Sequence, residues 1–188
     1  VHLPQTFPPA LHNVLDGLLK AEFDTYRRRG TLHPLLKDAG VTGRLFSDLE
    51  RLRLWRSPTH GLQWKDPTTS YTLYAAIHDL VELADGLLAV LDYKSSAARE
   101  IVVYPSYQLQ VDVATFLLQQ MGYRTASKAY IVFFTATNTK GFHGRLPFEG
   151  HVRTVSTQPA RVRHLFRRAV TLAQSNRTPK PGTNCDLC

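Results

Sequence analysis

Asp92 and Lys94 stand one residue apart in Leu91-Asp92-Tyr93-Lys94, and a further acid, Asp79, lies upstream. On an extended strand successive side chains alternate faces, so Asp92 and Lys94 project to the same side. A pair of carboxylates can hold a divalent cation, and an ammonium beside it can stabilise charge that develops on an attacked phosphate. Residues of these types in this order suit phosphodiester hydrolysis. An acid-x-Lys triplet alone is weak evidence, because charged residues at strand ends are ordinarily just solvated.

The flanking sequence predicts strands. Tyr71 to Leu83 is rich in aromatic and apolar residues, and Leu87 to Leu91 is a short apolar run ending at the acid. Between them Ala84-Asp85-Gly86 carries the Asp-Gly pair favoured in tight hairpin turns. A hairpin there brings Asp79 close to Asp92, with the register open. A shift of one position would put His78 in the place of the acid; Asp79 is preferred because a carboxylate is the better ligand for a hard cation.

Four segments follow in order: His78-Asp79-Leu80-Val81, Asp85-Gly86, Val90 to Ser96 with its Asp-Tyr-Lys, and Tyr107 to Gly122 with Gln108 and Gln110 near its start. In this order they resemble the PD-(D/E)XK nuclease superfamily, especially the branch of the RecB-type nuclease domain and the CRISPR-associated adaptation exonucleases. The resemblance covers most of the chain, including Leu19 to Arg27 and the terminal Asn184 to Cys188. It implies an α/β, restriction-endonuclease-like core, a central mixed β-sheet flanked by helices. It also implies Mg2+- or Mn2+-dependent cleavage of DNA, with exonuclease action favoured, in repair, recombination or mobile-element defence. The implied metal ligands are Asp79, Asp92 and the Tyr93 carbonyl. Lys94 would orient water or stabilise charge, and Gln110, or Gln108 in a shifted register, would hold the geometry; His78 and His143 are auxiliary candidates. The sequence departs from the family at Ala76, where Gly is usual, and at Ala114, where Tyr is common. It also lacks the helical histidine of the exonuclease members, for which His33 before Pro34 is a poor substitute. Asp24 is read as structural.

The remaining elements must position these groups. Leu11, Val14, Leu15, Leu18, Leu19 and Phe23 recur at helical spacing before Arg27-Arg28-Arg29-Gly30. Gly43 to Arg56 reads as a segment that is helical early and enters the sheet at Leu52 to Trp55. Leu62 to Lys65 reads as an antiparallel strand or loop between turn-rich stretches. Pro105 can open a helix whose face of Gln110, Val113, Ala114, Leu117 and Met121 points to the sheet, with Gly122 ending it. Ala129 to Phe134 has the continuous apolar character of a buried strand, Thr135 to Arg145 that of a polar loop, and Pro147 to Ser156 that of another strand. A last helix from about Gln158 turns Val162, Phe166, Ala169, Val170 and Ala173 inward.

With 23 basic against 15 acidic residues the chain carries a formal charge of +8, which favours a polyanionic partner, nucleic acid first. Lys140, Arg145, Arg161, Arg163, Arg167 and Arg168 are the candidates for tracking a phosphate backbone, single- or double-stranded. A helicase or another repair or defence protein is a further candidate partner. No apolar run reaches the roughly 20 residues needed to cross a bilayer, and the start lacks the regions of a signal peptide, so no membrane association and a cytoplasmic location are expected. One domain over residues 1–177 and a tail over 178–188 are expected. The tail holds the only cysteines, Cys185 and Cys188, with metal-ligand spacing. An iron–sulfur cluster normally needs four thiolates, so it could form only with cysteines from outside this chain. The contrasting reading is a nuclease fold without turnover, kept as a nucleic-acid-binding or accessory subunit.

Overall fold

In the computed structural model, which describes residues 10–96, 100–137, 144–175 and 177–178, the Asp85-Gly86 pair turns the chain between two strands, β4 (Asp79–Leu83) and β5 (Leu88–Ser96). Gly86 takes φ 76°, a left-handed conformation that other residues adopt reluctantly. The turn is closed by Leu83 N–H donating to the Leu87 carbonyl and Gly86 N–H donating to that of Leu83. This hairpin is the centre of a five-stranded mixed sheet.

The other strands of that sheet are β1 (Gly43–Leu45), β6 (Lys128–Ala136) and β7 (Phe148–Ser156), and the order is β1-β4-β5-β6-β7. Among the strands of the described residues only β5 and β6 pair in parallel, with Asp92 opposite Ile131 and Lys94 opposite Phe133. A parallel pair needs a crossover. It is supplied by helix α4 (Pro105–Gln120), opened by a proline at the first turn, where no intrahelical N–H is lost. A separate hairpin pairs β2 (Leu62–Lys65) with β3 (Thr72–Ala75).

Strand alternation divides the interior into two cores. On one face Leu80, Leu88, Val90, Ile131 and Phe133 pack with Leu52, Leu117 and Val162 from α3 (Leu49–Arg56), α4 and α5 (Ala160–Gln174). On the other, Val81, Leu91, Tyr93 and Val132 pack with Leu19 and Phe23 of α1 (Ala10–Arg28) and Leu36 of α2 (Pro34–Asp38). Asp92 and Lys94 share the parity of Val90 and Asp79 shares that of Val81, so the hairpin deals these groups to different sides.

Three expectations are corrected. The Gly43 to Arg56 segment is strand first and helix second. Asp48 caps α3 by accepting the Arg51 N–H at 2.9 Å, Glu50 lies in the first turn and Arg53 and Arg56 in the last, so capping and dipole chemistry outweigh the strand preference of the Leu-Trp end. Tyr71 to Leu83 is two strands in two sheets, interrupted at Ala76-Ile77-His78. Met121, expected inward, is 41% exposed at the C-cap of α4, and Ala169 and Ala173 of α5 are exposed as well. His33 caps the short α2, its ring nitrogen accepting the Leu35 N–H, and is stacked on Phe23.

At Gly43, φ is 121° and a Cβ would stand 2.2 Å from the Glu82 carbonyl oxygen of the paired strand. Gly43→Ala is therefore expected to destabilise the fold by more than about 1 kcal/mol, because conformational strain and a backbone clash add. Urea unfolding of the two proteins checks this, and an equal or higher midpoint for the variant would refute it.

Candidate active site

The pairing of β4 with β5 sets Asp79 opposite Leu91 and Leu80 opposite Val90. Continued by one residue, this register sets His78 opposite Asp92. The His78 Nδ1 makes a short contact with Asp92 Oδ1, and its Nε2 lies 3.6 Å from Asp16 Oδ1 on α1. Asp16 also pairs with Lys20 at 2.6 Å. Lys94 Nζ lies 2.7 Å from Asp92 Oδ2 and donates to Gln110 Oε1 at 2.6 Å, while standing 4.7 Å from the centre of the Tyr107 ring. Four side chains from β5, α4 and the segment entering β4 thus converge at one end of the sheet. They line a cleft of about 580 Å3 whose apolar walls include Leu73, Ala75, Leu109 and Val113. Ala76 and Ala114, the two departures from the family pattern, line the same cleft.

Burial disfavours the Asp92 carboxylate, yet the His78 imidazole and then the Lys94 ammonium outweigh that penalty and hold its pKa below the ordinary value of 3.8. Asp92 is therefore an ionised carboxylate at neutral pH. Its Oδ2 is buried and, apart from the Lys94 ion pair, has no directed hydrogen bond among the described residues. Asp92 is among the residues that line the cleft.

The structure does not bring Asp79 to this carboxylate, which corrects the expectation of a paired-acid site. Asp79 is fully buried on the opposite face. Its oxygens accept from Arg27 Nη2 at 2.5 and 2.6 Å, from Arg56 Nη2 at 3.1 Å and from the Tyr93 hydroxyl at 2.6 Å. Arg56 Nη1 also donates to Asp24 at 2.9 Å, and Arg27 Nε donates to Asp24 at 3.2 Å. Two guanidinium and two carboxylate groups balance one another inside the protein. Burial opposes the charge on Asp24, but Arg56 and then Arg27 hold its pKa below 3.8. Burial and then the Asp79 charge push the Tyr93 hydroxyl well above its ordinary value, so it stays protonated and donates to Asp79. The side-chain oxygens of Asp79 are fully committed, and the cause is the one-residue register.

Of the two glutamines, Gln110 meets Lys94, whereas Gln108 donates to Asp112 at 2.9 Å and to the Ser156 carbonyl at 2.8 Å. The arginines of α5 are differently employed than expected. Arg161 pairs with the buried Asp112 at 2.6 Å and Arg167 with the buried Asp66 at 2.8 Å. The Asp66 carboxyl is held far below its ordinary value, first by Arg167. Arg163 lies over Trp64 and Phe116. Arg145 and Arg168 are exposed. Lys140, His143, Cys185 and Cys188 lie outside the described residues.

Asp16 is the group that sequence reasoning missed. The sequence shows it as one of several acids on the N-terminal helix, where a histidine was sought, and does not single it out. Among the described residues no cluster of three or more His, Cys, Asp or Glu side chains is assembled for a metal. Mg2+, however, is commonly held by one or two carboxylates together with water and substrate phosphate. Asp92, an anionic oxygen donor that lines the cleft, fits such a cation, and Asp16 is a second carboxylate beside His78.

A mixed sheet flanked by helices, with an Asp-x-Lys strand and a helix glutamine at one end, defines a restriction-endonuclease-like protein. The family model described as the PD-(D/E)XK nuclease superfamily matches residues 9–188, and the chain belongs to that superfamily. The RecB-type and CRISPR-associated branches are not distinguished by this match. No curated protein matches the chain. A solved structure titled "Crystal structure of SSO0001" aligns with 13% identity and a TM-score of 0.38, covering 61% of this chain and 48% of that one. This chain thus spans about half of that protein's length.

Breaking a buried ion pair by removing one partner typically costs about 3–5 kcal/mol. Asp79→Ala is expected to lose stability on that order, and Asp92→Ala, whose partners reach the cleft, clearly less; chemical denaturation of both variants measures the difference. The lowered carboxyls also fix a pH dependence. A group whose pKa is depressed in the folded state contributes stability above its unfolded pKa and loses it as pH falls through the folded value. The unfolding midpoint should therefore hold above about pH 4 and decline below it. Arg56→Gln, which removes the leading partner of Asp24, should make that decline shallower.

Proposed function

We propose that this protein is a divalent-metal-dependent nuclease that hydrolyses DNA phosphodiester bonds at the cleft around Asp92, Lys94 and Gln110. The observation that carries this reading is the Asp92–Lys94–Gln110 chain of contacts lining a cleft, with Asp92 held as a carboxylate by His78 and Lys94. The net charge of +8 supports a polyanionic substrate. Exonuclease action in repair, recombination or mobile-element defence, alone or beside a helicase, is the role that the family resemblance supports.

Asp92 would hold the Mg2+ or Mn2+, with the Tyr93 carbonyl and Asp16 completing the protein's share; Asp79 is not among the ligands. When bound, such an ion lowers the pKa of water and neutralises phosphate charge. The chain's own groups set the geometry. His78 orients Asp92 and helps keep it ionised. Asp92, Gln110 and the Tyr107 ring fix the Lys94 ammonium in one position, so it meets developing negative charge without reorganising. Gln110 acts through Lys94 and is a positioning residue.

The test incubates the purified protein with end-labelled single- and double-stranded DNA, and with RNA, in Mg2+, Mn2+ or EDTA. Cleavage is expected with either metal and not with EDTA. Asp92→Ala and Lys94→Ala should each lower the rate by roughly 100-fold or more, the scale of one lost electrostatic contact in an active site, while retaining most nucleic-acid affinity. Wild-type rates in both variants, from preparations free of contaminating nuclease, would reject the site.

Affinity should fall steeply as salt rises, because binding releases counterions from the phosphates. Arg145→Gln combined with Arg168→Gln should reduce that salt slope by about one unit per lost contact. Arg161→Gln combined with Arg167→Gln should mainly lower the unfolding midpoint, since those side chains secure α5 to Asp112 and Asp66. Binding titrations at several salt concentrations, paired with thermal melts, separate the two outcomes.

A further inference from the structure

Beside the reactive groups lies an aromatic pair, Tyr104 and Tyr107, of which the proposed chemistry uses Tyr107 alone. Tyr104 precedes α4 and is 52% exposed. Its ring packs against Tyr107 at 5.3 Å between centres with the planes 86° apart. Tyr107 in turn carries the Lys94 ammonium over its ring. Val102, 40% exposed, belongs to the same small surface, and Lys94 borders it together with Tyr104, Tyr107 and Val102. An edge-to-face contact uses one side of an aromatic pair and leaves the exposed ring with area for another flat partner. A single ring, that of Tyr107, separates this open tyrosine from the Lys94 ammonium.

We propose that Tyr104 is a stacking platform for one unpaired nucleobase, so that the preferred substrate is single-stranded DNA or a strand with an unpaired end. This rests on the reading of the Asp92–Lys94 site as a phosphodiester-cleaving centre. In a duplex each base face is covered by its neighbours, and a protein ring can stack on a base only where the strand is open or frayed. Base–aromatic stacking tolerates any sequence, because every base has a π-face. Tyr107 has a second task here: its ring buttresses Tyr104 while it holds Lys94, and so ties the position of the base to that of the phosphate. Val102 would cover the edge of the stacked base.

The experiment follows fluorescence of a single-stranded oligonucleotide carrying 2-aminopurine, in EDTA so that no cleavage occurs, with wild type, Tyr104→Phe and Tyr104→Ala. Wild type and Tyr104→Phe should quench the probe. Tyr104→Ala should lose the quenching and about five- to hundred-fold in affinity for the single strand, with little change for a blunt duplex of the same length. Tyr104→Leu, checked by circular dichroism, guards against misfolding of the alanine variant and should behave like it. Equal quenching and equal affinity in wild type and Tyr104→Ala would overturn the proposal, as would equal losses on single strand and blunt duplex. Cleavage by wild type in Mg2+ is scored separately. Cleavage without Tyr104-dependent quenching removes the platform and leaves the active site standing; quenching without cleavage removes the nuclease reading alone.

Discussion

The pairing of Asp79 with Leu91 is the constraint on which the rest depends. A β-strand has a side-chain period of two, so a register fixed at one pair fixes the face of every residue in both strands. This one places Asp92, Lys94 and His78 at the cleft and commits Asp79 to the α1 side. There Arg27 and Arg56 arrive from two different helices and find a carboxylate they can share. A slip of one residue in β4 would turn Asp79 away and leave the two guanidinium groups with Asp24 as their one carboxylate in this network. The internal ion network therefore selects the register that builds the site, although none of its members reaches the cleft.

The same economy governs the excess of positive charge. Arg27, Arg56, Arg161 and Arg167 are each paired with a carboxylate inside or against the protein, and Arg44 pairs with Glu82 across β1 and β4. These arginines are structural cross-braces. The field that a polyanion meets is set instead by the remaining cations, with Arg145 and Arg168 among those exposed. Counting basic residues along a helix overstates its use as a phosphate track when buried acids lie beneath it.

Much of the fold was legible because its signals are local. The Asp-Gly turn, the apolar run of β6 and the proline that opens α4 each act within a few residues, and each element formed where it was read. The same-side projection of Asp92 and Lys94 follows from strand geometry alone, whereas Gln110 was read from the family resemblance, with Gln108 as the alternative. The register was not legible. It is decided by which tertiary partners await each face, and the partners of Asp79 come from residues far away in sequence. Asp16 was missed for a related reason: its approach to His78 depends on how α1 lies across the sheet, which no pattern within the helix encodes. The Leu52 to Trp55 segment shows the reverse case. There an apolar run with strand character was overruled by a local cap at Asp48.

Because the carboxylate that secures the fold and the carboxylate at the cleft occupy opposite faces, stability and turnover can diverge under mutation. In many enzymes the reactive residues are themselves a source of strain, and gains in one property erode the other. Here a substitution at Asp92 or Lys94 leaves the arginine–aspartate lattice around Asp79 intact, whereas loss of either guanidinium undermines the scaffold without touching the reactive groups. Selection could therefore silence the cleft in a single step and keep the domain, or tune the cleft freely over a framework that does not register the change.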